Sequence, residues 1–139
     1  MINRQSGKAS VITLAVVAGI CGLLFLMYSM LPKGFKDDLT LIGQGAVSVV
    51  LTHDKNLLDS VQTMELLNEV RSDYEGRVEF LAVDIATPVG QGFVREQRVG
   101  AVNLVIFGPD GARREVVDYR LTAQQLRSVL DAALSGSGA

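Results

Sequence analysis

Ala101-Val102-Asn103-Leu104-Val105-Ile106-Phe107-Gly108-Pro109-Asp110-Gly111 is the stretch that decides how this chain folds. Its first seven residues, apolar and partly β-branched apart from Asn103, are a run of strand length, so a buried strand is expected over residues 101–107. The next four form a strong turn signal: proline presets φ, aspartate bonds its own backbone, and glycine accepts the left-handed conformation. Ala112, Arg113 and Arg114 lead out of the turn, and residues 115–119 read as the return strand of an antiparallel hairpin. The two arginines are expected to split on this edge strand, one burying its stem and one staying solvated, where charge also blocks edge-to-edge aggregation.

Reading toward the C-terminus, Thr122-Ala123-Gln124-Gln125 fits a capping box that starts a helix. Leu126, Val129, Leu130 and Leu134 would be its apolar face, and residues 135–139 a flexible Ser/Gly tail. Reading toward the N-terminus, residues 88–98 are a short helix candidate carrying Phe93 and Val94, weakened by Gly90 and Gly92. Residues 77–84 alternate and then turn apolar, a second strand. Before them Leu57, Val61, Met64 and Leu67 recur at helical spacing, with Leu58, Leu66 and Val70 widening the stripe. Residues 46–51 form another β-branched strand, preceded by Gly45. The order is strand, helix, strand, helix, hairpin, helix. Strands joined by a long helix should be parallel and the hairpin antiparallel, giving an α/β domain with a mixed sheet and helices on both faces.

The first part of the chain is of another kind. Residues 11–31 are 21 consecutive uncharged residues, flanked by Arg4 and Lys8 on one side and Lys33 and Lys36 on the other. As a helix this run spans roughly 30 Å, the hydrocarbon thickness of a bilayer. A cleaved signal peptide is the competing reading, but the run exceeds the usual apolar length and no small-x-small site follows it. The expected organisation is therefore an N-terminal flank (1–10), a transmembrane helix (11–31), a linker (32–43), a soluble domain (44–134) and a tail (135–139). Basic residues are balanced across the run. The free amino terminus tips the expected orientation toward a cytoplasmic N-terminus and a periplasmic domain at a bacterial inner membrane. Ala15, Ala18, Gly19 and Gly22 share one side of the helix, a small-residue face suited to close helix packing in lipid. The span contains no histidine to hold a haem and no ionisable group to relay protons.

Charge excludes one class of function. After Lys36 the chain holds nine basic and 15 acidic residues, a net charge of −6, whereas nucleic-acid binding needs a cationic surface. The single cysteine, Cys21, lies inside the apolar run, so no disulfide and no thiol pair can form within the chain.

The element order over residues 44–134 resembles the thioredoxin fold. The resemblance is carried by Val99-Gly100-Ala101-Val102-Asn103 leading into an apolar strand, a glycine turn, a charged strand and a helix. Leu81-Ala82-Val83-Asp84 is similar to the central strand of that family, which also ends in aspartate. The redox residues do not follow. Where the family carries tryptophan and Cys-x-x-Cys, this chain reads His53 and then Asp54-Lys55-Asn56-Leu57. Ser48 stands where the family has a buried acid, and Val102 where it has a cis-proline. A cis bond at valine would cost about 3 kcal/mol against under about 1 before proline. Thiol–disulfide exchange needs a thiolate, so the resemblance implies a redox-inactive, non-enzymatic domain.

Other chemistry finds little footing. His53 with Asp54 or Asp84 could form an acid–base couple, but no nucleophile stands clearly beside it, and a polar loop residue is the plainer reading. One histidine with scattered carboxylates offers no metal-ligand spacing, and no glycine-rich phosphate loop follows a strand, so no cofactor or metal is expected. Asp54 is expected to cap a helix beginning near Lys55. The function expected is a membrane-tethered binding module, an accessory or assembly subunit meeting integral membrane proteins. Its candidate groove is His53, Asp54, Lys55 and Asn56 facing Gly100, Ala101, Val102 and Asn103. The alternatives are a tethered oxidoreductase relative of the cytochrome-maturation type, which would have to borrow thiols, and a peptide or small-molecule sensor.

Overall fold

The computed structural model describes residues 6–31 and 34–136. Arg4, Pro32, Lys33 and residues 137–139 of the expected flank, linker and tail lie outside the described residues. The chain divides into two compact units at residues 33 and 34. The first is one helix, α1 (Ser6–Met30), whose stretch Ser10–Met30 is long and apolar enough to cross a membrane. A signal sequence would pass the same length and composition test.

The second unit is built on a four-stranded sheet. Its elements are β1 (Val47–His53), α2 (Leu58–Arg71), β2 (Val78–Asp84), α3 (Pro88–Gln97), β3 (Asn103–Phe107), β4 (Arg113–Asp118) and α4 (Ala123–Gly136). The spatial order is β2-β1-β3-β4. β1 pairs parallel with β2, Val47 opposite Val78 through His53 opposite Asp84, and antiparallel with β3. β3 and β4 form the hairpin, with a register shift between Ile106 and Phe107. The mixed sheet with helices on both faces is therefore as expected.

Alternation along β1 sorts its side chains into two layers. Val47, Val49 and Leu51 join Leu67 and Val70 of α2 and Leu126 and Leu130 of α4 in the larger core. Val50 joins Leu81, Val83, Val105 and Phe107 against Phe93 of α3 in the smaller one, with Leu39, Leu41 and Ile42 packed onto it. Segment 34–46 thus wraps the sheet. Lys36 forms a single parallel bridge to Leu81 at the free edge of β2, Leu39–Leu41 is one 3-10 turn, and Gly45 N–H donates to Pro109 O at 3.1 Å. Gly43 and Gly111 both have positive φ, and a Cβ added to either would meet the other's Cα at 3.2 Å.

Several local expectations are corrected. The stripe on α2 is rotated: Ser60, Thr63, Leu67 and Val70 are its buried residues, whereas Leu57, Leu58 and Val61 are exposed. The two hydroxyls fit the close approach of helix to sheet, and Thr63 Oγ1 is satisfied by Asp59 O at 2.7 Å. Gly90 does not weaken α3 but permits it, because a Cβ there would lie 1.9 Å from Asp84 O. Arg113 and Arg114 are both exposed; Arg113 reaches Gln97 O at 2.6 Å and Arg114 pairs with Asp110 at 3.1 Å. Ser135 and Gly136, placed by composition in the tail, belong to α4. The capping box forms as expected: Gln125 N–H donates to Thr122 Oγ1 at 3.2 Å and Thr122 N–H to Gln125 Oε1 at 2.8 Å.

Candidate functional site

The end of β1 and the entry to β3 are joined by one threonine. Thr52 is fully buried; its Oγ1 donates to Gly100 O at 2.8 Å and accepts Asn103 N–H at 2.9 Å. Its carbonyl accepts Val102 N–H at 2.8 Å, while Asn103 Oδ1 closes the turn by accepting Gly100 N–H at 2.9 Å. Residues 100–103 are therefore a pinned loop. The strand expected from Ala101 begins only at Asn103, because Val102 turns into the left-handed region at φ 60°. A β-branched residue held there stores about 1–3 kcal/mol of strain, offset by burial of its side chain in the larger core and by the bond to Thr52. Gly100 and Ala101 are exposed, Asn103 half-buried.

The second half of the expected groove follows β1 directly. His53 is the last strand residue, and Asp54 Oδ1 accepts the Asn56 backbone N–H at 2.9 Å and its side-chain amide at 3.1 Å. Asp54 is thus a turn former and not the helix cap. The helix starts at Leu58, and its capping residue Leu57 offers no side-chain acceptor. Ser60 Oγ accepts Asp54 N–H at 2.9 Å, which ties the turn to the first turn of α2. Lys55 forms an ion pair with Asp84 at 3.1 Å.

Asp84 is committed elsewhere than to His53. The Ala86 backbone N–H, first, and then Lys55 hold its carboxyl below the usual aspartate range. His53 sits opposite Asp84 in the sheet register, yet its imidazole makes no hydrogen bond among the described residues. Ser48, the serine nearest in sequence on β1, is fully buried with an unpartnered Oγ, and Ser60 Oγ is taken by Asp54 N–H. No nucleophile, base and orienting acid are therefore in line here. Among the described residues no three His, Cys, Asp or Glu side chains converge as a metal site.

Two features escaped the sequence pattern. Leu57, Leu58 and Val61 are 40, 70 and 46% exposed, an apolar patch at the start of α2 that continues from the Asp54–Asn56 turn. A cleft of about 400 Å³ opens at the carboxyl ends of β1 and β2, where His53, Asp37 and Asp84 meet Phe35, Met64 and Val89. On α1, Ala15, Ala18, Gly19 and Gly22 lie on one helical face by their spacing, and a Cβ added to Gly19 or Gly22 would meet open space.

A parallel pair of strands joined by a helix, followed by an antiparallel hairpin and a terminal helix on the same sheet, defines a thioredoxin-like fold. The chain is similar to the solution structure of a thioredoxin from Thermus thermophilus, with a TM-score of 0.60 and 18% identity over 76% of this chain and 91% of that one. It is also similar to the structure of a malarial protein, with a TM-score of 0.57 and 14% identity over 64% of this chain and 98% of that one. At such identities the likeness is one of fold. No protein-family model matches the chain, and no curated protein does.

Proposed function

We propose that this protein is a non-enzymatic binding module, tethered to the membrane by α1, that serves as an accessory or assembly subunit of a larger membrane protein complex. The observation that carries the reading is the exposed apolar patch of Leu57, Leu58 and Val61 at the start of α2. Neighbouring apolar side chains left in water suit a protein interface, and burying each on a partner is worth about 1.5–3 kcal/mol. The only cysteine lies in α1, so the domain itself has no thiol for exchange chemistry. The small-residue face of α1 would supply a second contact within the bilayer.

The test is purification of the intact chain in a gentle detergent, with mass spectrometry of what accompanies it. A near-stoichiometric set of membrane subunits is expected, depleted by Leu58→Glu and by the pair Ala15→Leu with Gly19→Leu. A chain that elutes alone overturns the accessory role and moves the weight to a sensor that uses the same face.

A further inference from the structure

The cleft at the carboxyl ends of β1 and β2 holds polar groups with bonding capacity to spare. Asp37 makes no hydrogen bond or ion pair among the described residues, and the His53 imidazole makes no hydrogen bond. Asp84, with its side chain 12% exposed, accepts the Ala86 backbone N–H at Oδ1 and pairs at Oδ2 with Lys55, whose own side chain is 76% exposed. Around these groups stand Phe35, Met64 and Val89, an apolar wall in a space of about 400 Å³, with the Arg71 guanidinium over the Phe35 ring at 4.9 Å. That volume falls at the small end of the range for ligand sites, about 300–1,000 Å³.

We infer that this cleft receives an arginine side chain from a partner protein, its guanidinium set against Asp84 and Asp37 and its stem along Phe35, Met64 and Val89. The inference rests on the binding-module reading and deepens it. Charge complementarity selects the occupant. The domain after Lys36 carries −6, and two carboxylates line the cleft. A flat cation with an apolar stem matches carboxylates behind an apolar wall, whereas a carboxylate or phosphate would be repelled. Arginine is favoured over lysine because a planar fork bonds a carboxylate through two parallel N–H groups, and an ammonium does not. Lys55 then acts as a placeholder. An exposed side chain holding Asp84 through one 3.1 Å pair loses little when an arriving guanidinium displaces it.

The test uses the intact chain in detergent micelles, titrated with blocked Ala-Arg-Ala, Ala-Lys-Ala and Ala-Glu-Ala tripeptides and followed by NMR. Shifts at the His53 ring and the Asp84 and Val89 amides are expected with the arginine peptide. Binding should be about fivefold weaker with lysine and absent with glutamate. Asp84→Asn should weaken arginine binding about tenfold and Asp37→Asn about threefold. Lys55→Ala should strengthen it about threefold by freeing Asp84, a gain that a merely structural role for Lys55 would not produce. Equal shifts with the glutamate peptide, indifference to both aspartate variants, or weaker binding by Lys55→Ala would each overturn the inference. If Asp84→Asn fails to fold, the other two variants carry the test. A chain that keeps its membrane subunits but binds no arginine peptide overturns this inference alone. One that binds the peptide but purifies without subunits overturns the accessory reading and leaves the cleft standing.

Discussion

The two sides of the sheet are closed by opposite means. On the α2 and α4 side, 14 buried residues interdigitate among the described residues, 12 from two helices and three strands with Tyr74 from a 3-10 turn and Val102 from the loop before β3. On the α3 side only six buried residues form the core, and closure depends on side chains that are missing. Gly90 lets α3 touch the backbone of Asp84, and Gly43 and Gly111 let the wrapping segment touch the hairpin turn. Buried hydroxyls differ in how fully they are bonded. Tyr74, in the larger core, donates its hydroxyl to Asp131 at 2.7 Å and lies within reach of Arg127 O at 3.2 Å, whereas Ser48 Oγ on the α3 side of β1 has no partner. A thick layer tolerates small changes by adjusting rotamers. A thin one held by backbone contact does not.

The comparison can be broken most severely at Gly90. Gly90→Ala should cost about 3–4 kcal/mol, because the clash is with backbone and cannot be relieved by a rotamer. Thermal melts of the intact chain in mild detergent would show it, and a loss under about 1 kcal/mol would mean that the α3 side is softer than described. Next in size, Thr52→Val should cost about 2 kcal/mol by stranding Gly100 O and Asn103 N–H. Amide exchange at residues 100–103 should quicken while that of α4 keeps its rank.

On the thick side the corresponding test is pH. Burial, and then the hydrogen bond to Asp131, push the Tyr74 hydroxyl up to about 12 from 10.0. The folded chain thus holds this proton more tightly than the unfolded chain. The contribution is complete below pH 10 and is lost as pH rises through about 12. Melts between those values should show a decline that Tyr74→Phe flattens. Ser48→Ala should raise stability by about 1 kcal/mol, since it removes a buried hydroxyl that bonds to nothing. Smallest of all, Gly92→Ala should add about 0.5–1 kcal/mol, because that glycine faces open space in the same helix where Gly90 faces backbone. Equal effects at positions 90 and 92 would erase the asymmetry.

What could be read in the sequence was whatever local chemistry decides. The turn at residues 108–111, the capping box at Thr122 and Gln125, and the alternation along β1 and β2 are set by residues within a few positions of one another. The thioredoxin-like order follows from them. What could not be read depends on distant partners. Val102 carries a strand-former's side chain, but its left-handed φ is imposed by Thr52, 50 positions earlier. The apolar spacing of Leu57, Leu58 and Val61 fits a buried face as well as an exposed one. Only the position of the sheet shows that Ser60 and Thr63 face inward. His53, in the candidate groove, shares a register position with Asp84, as their places at the two strand ends suggest. The ion pair that occupies Asp84 comes from Lys55, which no spacing rule singled out.

The contact between Gly43 and Gly111 also bears on the order of events during synthesis. Gly43 leaves the ribosome 68 residues ahead of the glycine it packs against. At about 5–20 residues per second that delay is roughly 3–14 seconds. Throughout it the wrapping segment lacks the turn it packs against, and the smaller core cannot close. Closure of this side of the sheet therefore waits until the hairpin turn has been made, however early the strands of the larger core are available.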